Sequence, residues 1–349
     1  MRLGRRAILL AVAASAVQIP SPPPLLRLPA PGRVVAIGDV HGDIDAFLAT
    51  LNLAGLANSK GAWSGGDAVL VQTGDVLDRG DDEPRCLELL RELKAGAAAA
   101  GGRVVTLLGN HEVLNALGEL AYVSPVGMRQ FGADRAKAFA PGSELARELA
   151  EWPVACVVGD GAQATAFCHA GLTSPMVARI ETVNEAARRW LVGDAPPPMA
   201  LLPTPDSPVW ERRYSSPSDA EPPAATCAEL RDALQLVGAE RLVVGHTVQN
   251  RINGACGGAV YRIDVGMSIG MGGGLPEALE IGRDGRVTVL TEMGSRPADA
   301  GRETARTAFV ATAPAATCAE VDGAVECELP PPPASRCEAV DGSVECEVS

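Results

Sequence analysis

An α/β domain is the fold class this sequence predicts, and three observations carry it. Aliphatic runs of strand length recur at RVVAIGDVHGD, DAVLVQTGDVLDRG and RVVTLLGNHE. Each run ends in a polar, glycine-containing loop, and each loop leads into an amphipathic or alanine-rich stretch of helical length. Apolar residues make up 47% of the 349-residue chain, enough for a large core without disulfide support.

In chain order, the first strand leads to IDAFLATLNLAGL, the second to RCLELLRELKAGAAAA and the third to VLNALGEL. Consecutive units of this kind imply adjacent parallel strands joined by right-handed crossovers. Ligands gather at the carboxyl ends of such strands, where all three polar loops fall. Residues 152–169 read as two strands around a Gly-Asp-Gly turn. A helix is predicted over 175–193, a Pro/Ser/Asp-rich surface excursion over 194–224, and a second helix over 226–237. Strands follow over 241–245 and 258–265, then a glycine-rich loop over 266–274 and closing strands near 277–290.

The ends of the chain read differently. MRLGRRAILLAVAASAV is basic, then apolar, then small, the order of a signal peptide over residues 1–16. It predicts export to the periplasm or beyond, and the Arg5-Arg6 pair suits the twin-arginine route. The apolar run is too short for an ordinary spanning helix, so no stable membrane span is expected once it is removed. Residues 17–32 read as a Pro-rich linker, 33–296 as the main domain and 297–349 as an acidic tail. The tail repeats TCAEVDGAVECEL as RCEAVDGSVECEV, each copy with Asp-Gly between short alternating segments, a hairpin signature. Cys318–Cys327 and Cys337–Cys346 could each close a small loop. These intervals are too wide for a paired zinc motif and carry no histidine. The tail reads as a solvated spacer, with binding of a surface partner as the alternative. Five cysteines remain in the main domain, so at least one is expected as a buried free thiol. Net charge is −13, of which the tail holds ten acidic residues against three arginines, and no Lys/Arg-rich block occurs. Nucleic acid is therefore not an expected partner.

The chemistry is concentrated at strand ends: Asp39 and His41, Asp75 with Asp78-Arg79, Asn110-His111-Glu112, His169, and His246. All four histidines of the chain belong to this set. Any one of these motifs alone is ordinary turn chemistry. Five strand ends with carboxylate, imidazole or amide donors, and no histidine left over, point to one metal site. Mixed Asp, His and Asn donors suit first-row ions such as Mn, Fe or Zn. Six ligands (Asp39, His41, Asp75, Asn110, His169 and His246) exceed what one open catalytic ion needs. They serve two ions about 3.5–4 Å apart that share a carboxylate, an arrangement for in-line displacement at phosphorus. A phosphate ester also needs guanidinium forks, and Arg79 is placed for that.

GDVHG, GDVLDRG and GNHE, with spacings of 36 and 35 residues between Asp39, Asp75 and Asn110, resemble the phosphoprotein phosphatase family of calcineurin-like metallophosphoesterases. WERRY, VVGHTVQ and YRIDVGMS look most like its Shewanella-like branch. The resemblance covers about residues 33–293. It implies two packed mixed β-sheets flanked by helices, an αββα sandwich, with a metallophosphatase catalytic domain over 33–296. It further implies that Asp39 and His41 hold the first ion, that Asp75 bridges, and that Asn110, His169 and His246 complete the second. His111 would be the general acid oriented by Asp78, Asn110 would also face substrate, and Arg79 with Arg212 (Arg213 the alternate) would bind phosphate. The implied reaction is direct attack of a metal-bridging hydroxide on a phosphorylated protein or small phosphomonoester. The alternative within the fold is a dinucleoside polyphosphate or phosphodiester substrate. The chain departs from the family at Ala170, where a glycine is usual, and at IGMGGG, which replaces a toxin-binding segment of the eukaryotic members.

Overall fold

The computed structural model describes residues 27–298 and, in the tail, the backbone of four strands, Thr317–Val321, Ala324–Glu328, Ser335–Val340 and Ser343–Val348. The signal-peptide reading of residues 1–16 lies outside the described residues. The elements begin with β1 (Arg27–Leu28), β2 (Val34–Ile37), α1 (Ile44–Leu53), β3 (Val69–Gln72), α2 (Glu83–Ala99), β4 (Arg103–Thr106) and α3 (Asn110–Leu117). Three short helices follow, α4 (Gly127–Gln130), α5 (Arg135–Phe139) and α6 (Glu144–Leu149), then β5 (Ala155–Val158) and β6 (Thr165–Cys168). Beyond them lie α7 (Ser174–Val177), α8 (Ile180–Leu191), α9 (Ala224–Val237), β7 (Arg241–Val244), β8 (Asn253–Ala255) and β9 (Val260–Arg262). The domain closes with β10 (Glu277–Ile281), β11 (Val287–Thr291) and β12 (Gly294–Pro297).

Two mixed six-stranded sheets result, ordered β12-β11-β10-β2-β3-β4 and β1-β5-β6-β7-β9-β8. The α/β architecture of two mixed sheets with helices is thus the one expected. The three strand–loop–helix units place β2, β3 and β4 side by side and parallel, with Val34 level with Val69 and Val69 level with Arg103. Val34–Ile37 and Val69–Gln72 are buried at every position, which explains why they read as continuous apolar runs rather than alternating ones. Gln72 ends β3 and uses its buried amide to join two loops. Its Nε2 donates to Gly38 O (3.2 Å) and Gly74 O (2.7 Å), and its Oε1 accepts from Gly74 N (3.0 Å). Asp43 caps α1 through Ala46 N (2.9 Å), and its other oxygen accepts from Ile269 N (2.9 Å), tying down the glycine-rich loop.

Three expectations change. Arg27–Leu28, read as part of a linker over 17–32, pair in parallel with Val157–Val158, so the stretch enters the sheet before residue 33. The helix predicted over 175–193 is two, because Arg179 leaves helical backbone (φ −120°, ψ −1°). The surface excursion over 194–224 is not all surface. Val209, Tyr214 and Ser215 are fully buried, and the Tyr214 hydroxyl donates to Leu172 O (2.9 Å). In the tail, the backbone register sets Cys318 opposite Cys327 and Cys337 opposite Cys346 across two hairpins.

Of the five main-domain cysteines, Cys227 at the start of α9 and Cys256 after β8 form a disulfide, while Cys86, Cys156 and Cys168 are buried free thiols. The disulfide closes a loop of 29 residues, and for a closed loop of that order the chain-entropy contribution is about 3–4 kcal/mol. Replacing both Cys227 and Cys256 with Ser is therefore expected to lower the melting temperature by several degrees. Reductant should lower it comparably in the parent chain and not at all in the variant. Identical melts with and without reductant in the parent would remove the disulfide from the account.

Candidate metal centre

Five strand ends converge on one buried pocket. β2 delivers Asp39 and His41, β3 delivers Asp75, Asp78 and Arg79, and the loop after β4 opens α3 with Asn110 and His111. β6 and β7 deliver His169 and His246. Asp39, His41, Asp75, Asn110, His169 and His246 are each at most 8% exposed, so the six residues read as ligands share one interior site. The backbone that carries them is strained. Among the described residues, seven non-glycine positions have left-handed φ, and five of these are His41, Asp75, Asp78, Arg79 and His246. Each such residue costs about 1–2 kcal/mol, which persists only where the surroundings over-determine it. Glu112 is part of what does so. Read in sequence as one more polar residue of the GNHE loop, it holds both loops through four backbone amides: Asp75 N, Val76 N, Leu77 N and Gly109 N, at 2.9–3.1 Å. Two glycines permit the close approach. A Cβ on Gly109 would collide with Asp75 Oδ1, and one on Gly245 with Asp39 Oδ1.

Asp75 stands at the centre. Its Oδ1 accepts from His111 N (3.0 Å), and its Oδ2 faces Nε2 of His169 at 3.3 Å and Nε2 of both His41 and His111 at 3.8 Å. His169 Nε2 also lies 3.0 Å from Asn110 Oδ1 and 3.2 Å from His246 Nδ1. Asp39 accepts from His246 N at 3.1 Å. The imidazole tautomers follow from the backbone, since His41 Nδ1 donates to Leu77 O and His169 Nδ1 to Thr73 O, both at 2.9 Å. Their Nε2 lone pairs therefore point into the pocket.

Electrostatics sharpens this. Burial, with His111 nearby, depresses His41 to about 4. Burial, then Arg212 and His169, holds His246 well below the usual histidine range. Burial alone would raise Asp75, but His169, His111 and His41 hold it well below the ordinary carboxylate range. Asp39 is pushed well up by burial and by Asp264 and Asp75. His41 and His246 are thus held neutral beside a carboxylate, and His246 Nε2 and Asp264 Oδ2 are buried without any hydrogen-bond partner. Two overlapping triads, His41–Asp75–His111 and Asp75–His169–His246, each bring their ligand atoms within 4.8 Å. This donor set fits two cations sharing Asp75.

At the mouth, His111 Nδ1 meets Asp78 Oδ2 at 2.6 Å. Burial would lower the His111 pKa, but Asp75 and the Asp78 hydrogen bond raise it. The Arg79 guanidinium lies over the Tyr122 ring, 4.5 Å from its centroid, and its buried Nε has no hydrogen-bond partner. Arg212 donates to Thr247 Oγ1 (2.9 Å) and His246 O (3.3 Å), facing the same pocket. Arg213 turns away into Glu211, Glu229 and Asp206 at 2.8–3.0 Å, so the two adjacent arginines separate into one beside the site and one in the scaffold.

Sequence reading missed Asp264, Tyr122, Glu83 and Arg135. Asp264 was findable, because Asp264-Val265 stands directly after a strand as Asp39-Val40 and Asp75-Val76 do. Its Oδ1 accepts from Gly266 N (2.8 Å), and burial raises its carboxyl to about 6. Ala170, the departure from HGG, is fully buried and donates its N–H to Pro208 O (2.9 Å), without disturbing the neighbouring histidine.

Known proteins share this sequence and fold. The chain is 35% identical over 318 residues to Shewanella-like protein phosphatase 2 of Arabidopsis thaliana, covering 76% of this chain and 79% of that one. It is 30% identical to Shewanella-like protein phosphatase 1 of Plasmodium berghei, covering 68% of each. The solved cold-active protein tyrosine phosphatase of a psychrophilic Shewanella superposes with a TM-score of 0.66 at 26% identity, covering 78% of this chain and 82% of that one. With residues 32–250 matching the calcineurin-like phosphoesterase model, and these relatives beside it, the chain belongs to the calcineurin-like phosphoesterases.

Proposed function

We propose that the protein is a binuclear metal-dependent phosphomonoesterase whose substrates are phosphorylated proteins. The observation that carries this reading is Asp75 Oδ2, shared by three imidazole nitrogens in a pocket flanked by Arg79 and Arg212. Asp39, His41 and Asp75 would hold one ion, and Asp75, Asn110, His169 and His246 the other. When bound, the pair supplies an activated water and neutralises phosphoryl charge. Arg79 and Arg212 grip the remaining phosphate oxygens and fix the ester for in-line attack. His111, with Nδ1 committed to Asp78, keeps Nε2 for donating a proton to the leaving oxygen. The Shewanella-like protein phosphatases and the tyrosine phosphatase it resembles favour a phosphoprotein substrate over a dinucleoside polyphosphate or a diester. Export of the catalytic domain, supported by the N-terminal sequence, is part of the same reading.

Phosphotyrosyl and phosphoseryl peptides, p-nitrophenyl phosphate, bis-p-nitrophenyl phosphate and a bis-nucleoside tetraphosphate, assayed side by side with Mn²⁺, test it. Turnover of the monoesters is expected to exceed that of the diester and polyphosphate by at least about tenfold, a difference of about 1.4 kcal/mol in barrier. Faster turnover of the diester or polyphosphate would overturn the monoester assignment. His111→Ala should lower kcat by about 10²–10⁴ while retaining two equivalents of metal by elemental analysis. Metal affinity should depend on pH in a definite sense. In the folded, metal-free pocket burial raises Asp39 well above the ordinary carboxylate range and raises Asp264 to about 6, so protons held there compete with an incoming cation as pH falls. His41, depressed to about 4, adds none above pH 5. Titration calorimetry should therefore show Mn²⁺ binding weakening below neutrality, by about tenfold per pH unit for each proton displaced.

A further inference from the structure

Behind the metal pocket lies a buried ionic cluster outside the set of site residues read from the sequence. Arg135, the first residue of α5, has a fully buried side chain whose donors are all spoken for. Its Nε donates to Asn115 Oδ1 (2.8 Å). Nη1 donates to Glu83 Oε2 (2.5 Å) and Gly127 O (3.0 Å), and Nη2 to Glu83 Oε1 (2.6 Å) and Asp78 Oδ1 (3.2 Å). The guanidinium lies over the rings of Phe131 and Phe139, 5.0 and 5.1 Å from their centroids. Its contacts gather around Asp78. Glu83 Oε1 accepts from Asp78 N (2.6 Å), and Asn115 Nδ2 donates to Asp78 Oδ1 (2.8 Å). Asp78 Oδ1 is thereby fixed by Arg135 and Asn115, leaving Oδ2 for His111 Nδ1 at 2.6 Å.

We propose that Arg135 is a positioning residue for proton donation. Clamped by Glu83, it sets the Asp78 carboxylate, and Asp78 sets the plane of the His111 ring. Two features point beyond a merely structural ion pair. Asp78 occupies left-handed backbone (φ 69°), so its side-chain direction depends on what holds it from behind. Arg135 also reaches it from a segment, between α3 and β5, that contributes none of the metal ligands, so the clamp is separable from metal binding. The inference rests on reading His111 as the general acid.

The test uses the full chain loaded with Mn²⁺ and a series of aryl phosphates from phenyl phosphate to 2,4-dinitrophenyl phosphate, whose leaving group needs little protonation. Arg135→Met is expected to lower kcat on phenyl phosphate by about a hundredfold and on the dinitrophenyl ester by less than about threefold, with KM little changed. Arg135→Lys should fall between, because it keeps the charge and loses the fork. Should Arg135→Met fail to fold because Glu83 is left buried and unpaired, the double replacement Glu83→Gln with Arg135→Met removes both charges and should show the same leaving-group signature. An equal loss across the series, or no loss, in whichever of these variants folds overturns the inference while leaving the phosphatase reading intact. If His111→Ala is itself insensitive to the leaving group, His111 is not the acid, and the reading and the inference fall together.

Discussion

The Asp75 carboxylate is the group on which the rest of the structure depends, because the protein alone cannot satisfy it. One oxygen is met by the His111 amide, but the other looks at three imidazole nitrogens, and two of those rings have already given their proton to a backbone carbonyl. Lone pairs then face lone pairs in an interior from which water is excluded. Burying unpaired polar atoms in that way costs several kcal/mol, and cations between them reverse the sign. Burial with Asp264 and Asp75 pushes Asp39 up, whereas the surrounding imidazoles hold Asp75 in its charged form against its burial. A pocket of this kind is folded against its own electrostatics, and a cation held there would stabilise it.

What keeps such a pocket open is the scaffold around it. Fully buried parallel strands fix where each loop begins, and buried carboxylates fix where each loop goes. Glu112 gathers four amides across two loops, and Glu83 accepts from the Asp78 amide while pairing with Arg135. Burial and Asp75 push the Glu112 carboxyl to about 7, against which the backbone amides work to keep it charged. These two glutamates therefore convert sheet geometry into ligand geometry. Five left-handed residues at the pocket measure how far the backbone has been bent from its preference to do so.

The sequence made the fold legible wherever a local pattern coincides with a structural one. Continuous apolar runs mark β2 and β3 because those strands are buried on both faces, and polar loops after them mark the ligand end. The six residues read as ligands meet in space because strand ends in a parallel sheet leave little choice of direction. Legibility fails where a residue acts through distant contacts. Arg135 sits in a stretch with no motif, and only tertiary packing brings it 52 positions back to Glu83. Arg27–Leu28 look like linker because two residues cannot display periodicity. The 194–224 stretch looks like surface by composition, yet Tyr214 and Val209 anchor it and turn Arg212 toward His246 while Arg213 turns away. Two neighbouring arginines are indistinguishable in sequence, and only packing shows that Glu211, Asp206 and Glu229 all take Arg213.

A phosphatase can also work through a cysteine thiolate, and the likeness to a protein tyrosine phosphatase makes that route worth weighing. A nucleophilic thiol must be ionised near neutral pH, which requires partial exposure and nearby positive charge. Among the described residues the free thiols are Cys86, Cys156 and Cys168, and all are buried. Burial raises Cys86 and Cys156 and pushes Cys168 up to about 12. Cys168 comes nearest the pocket, one residue before His169, yet its Sγ is directed at Pro208 O (2.9 Å) rather than inward. Cys227 and Cys256 are spent in the disulfide. Among the described residues, then, no free thiol is placed or ionised for attack beside Arg79 or Arg212, which supports the proposed route through a metal-activated water rather than a thiolate.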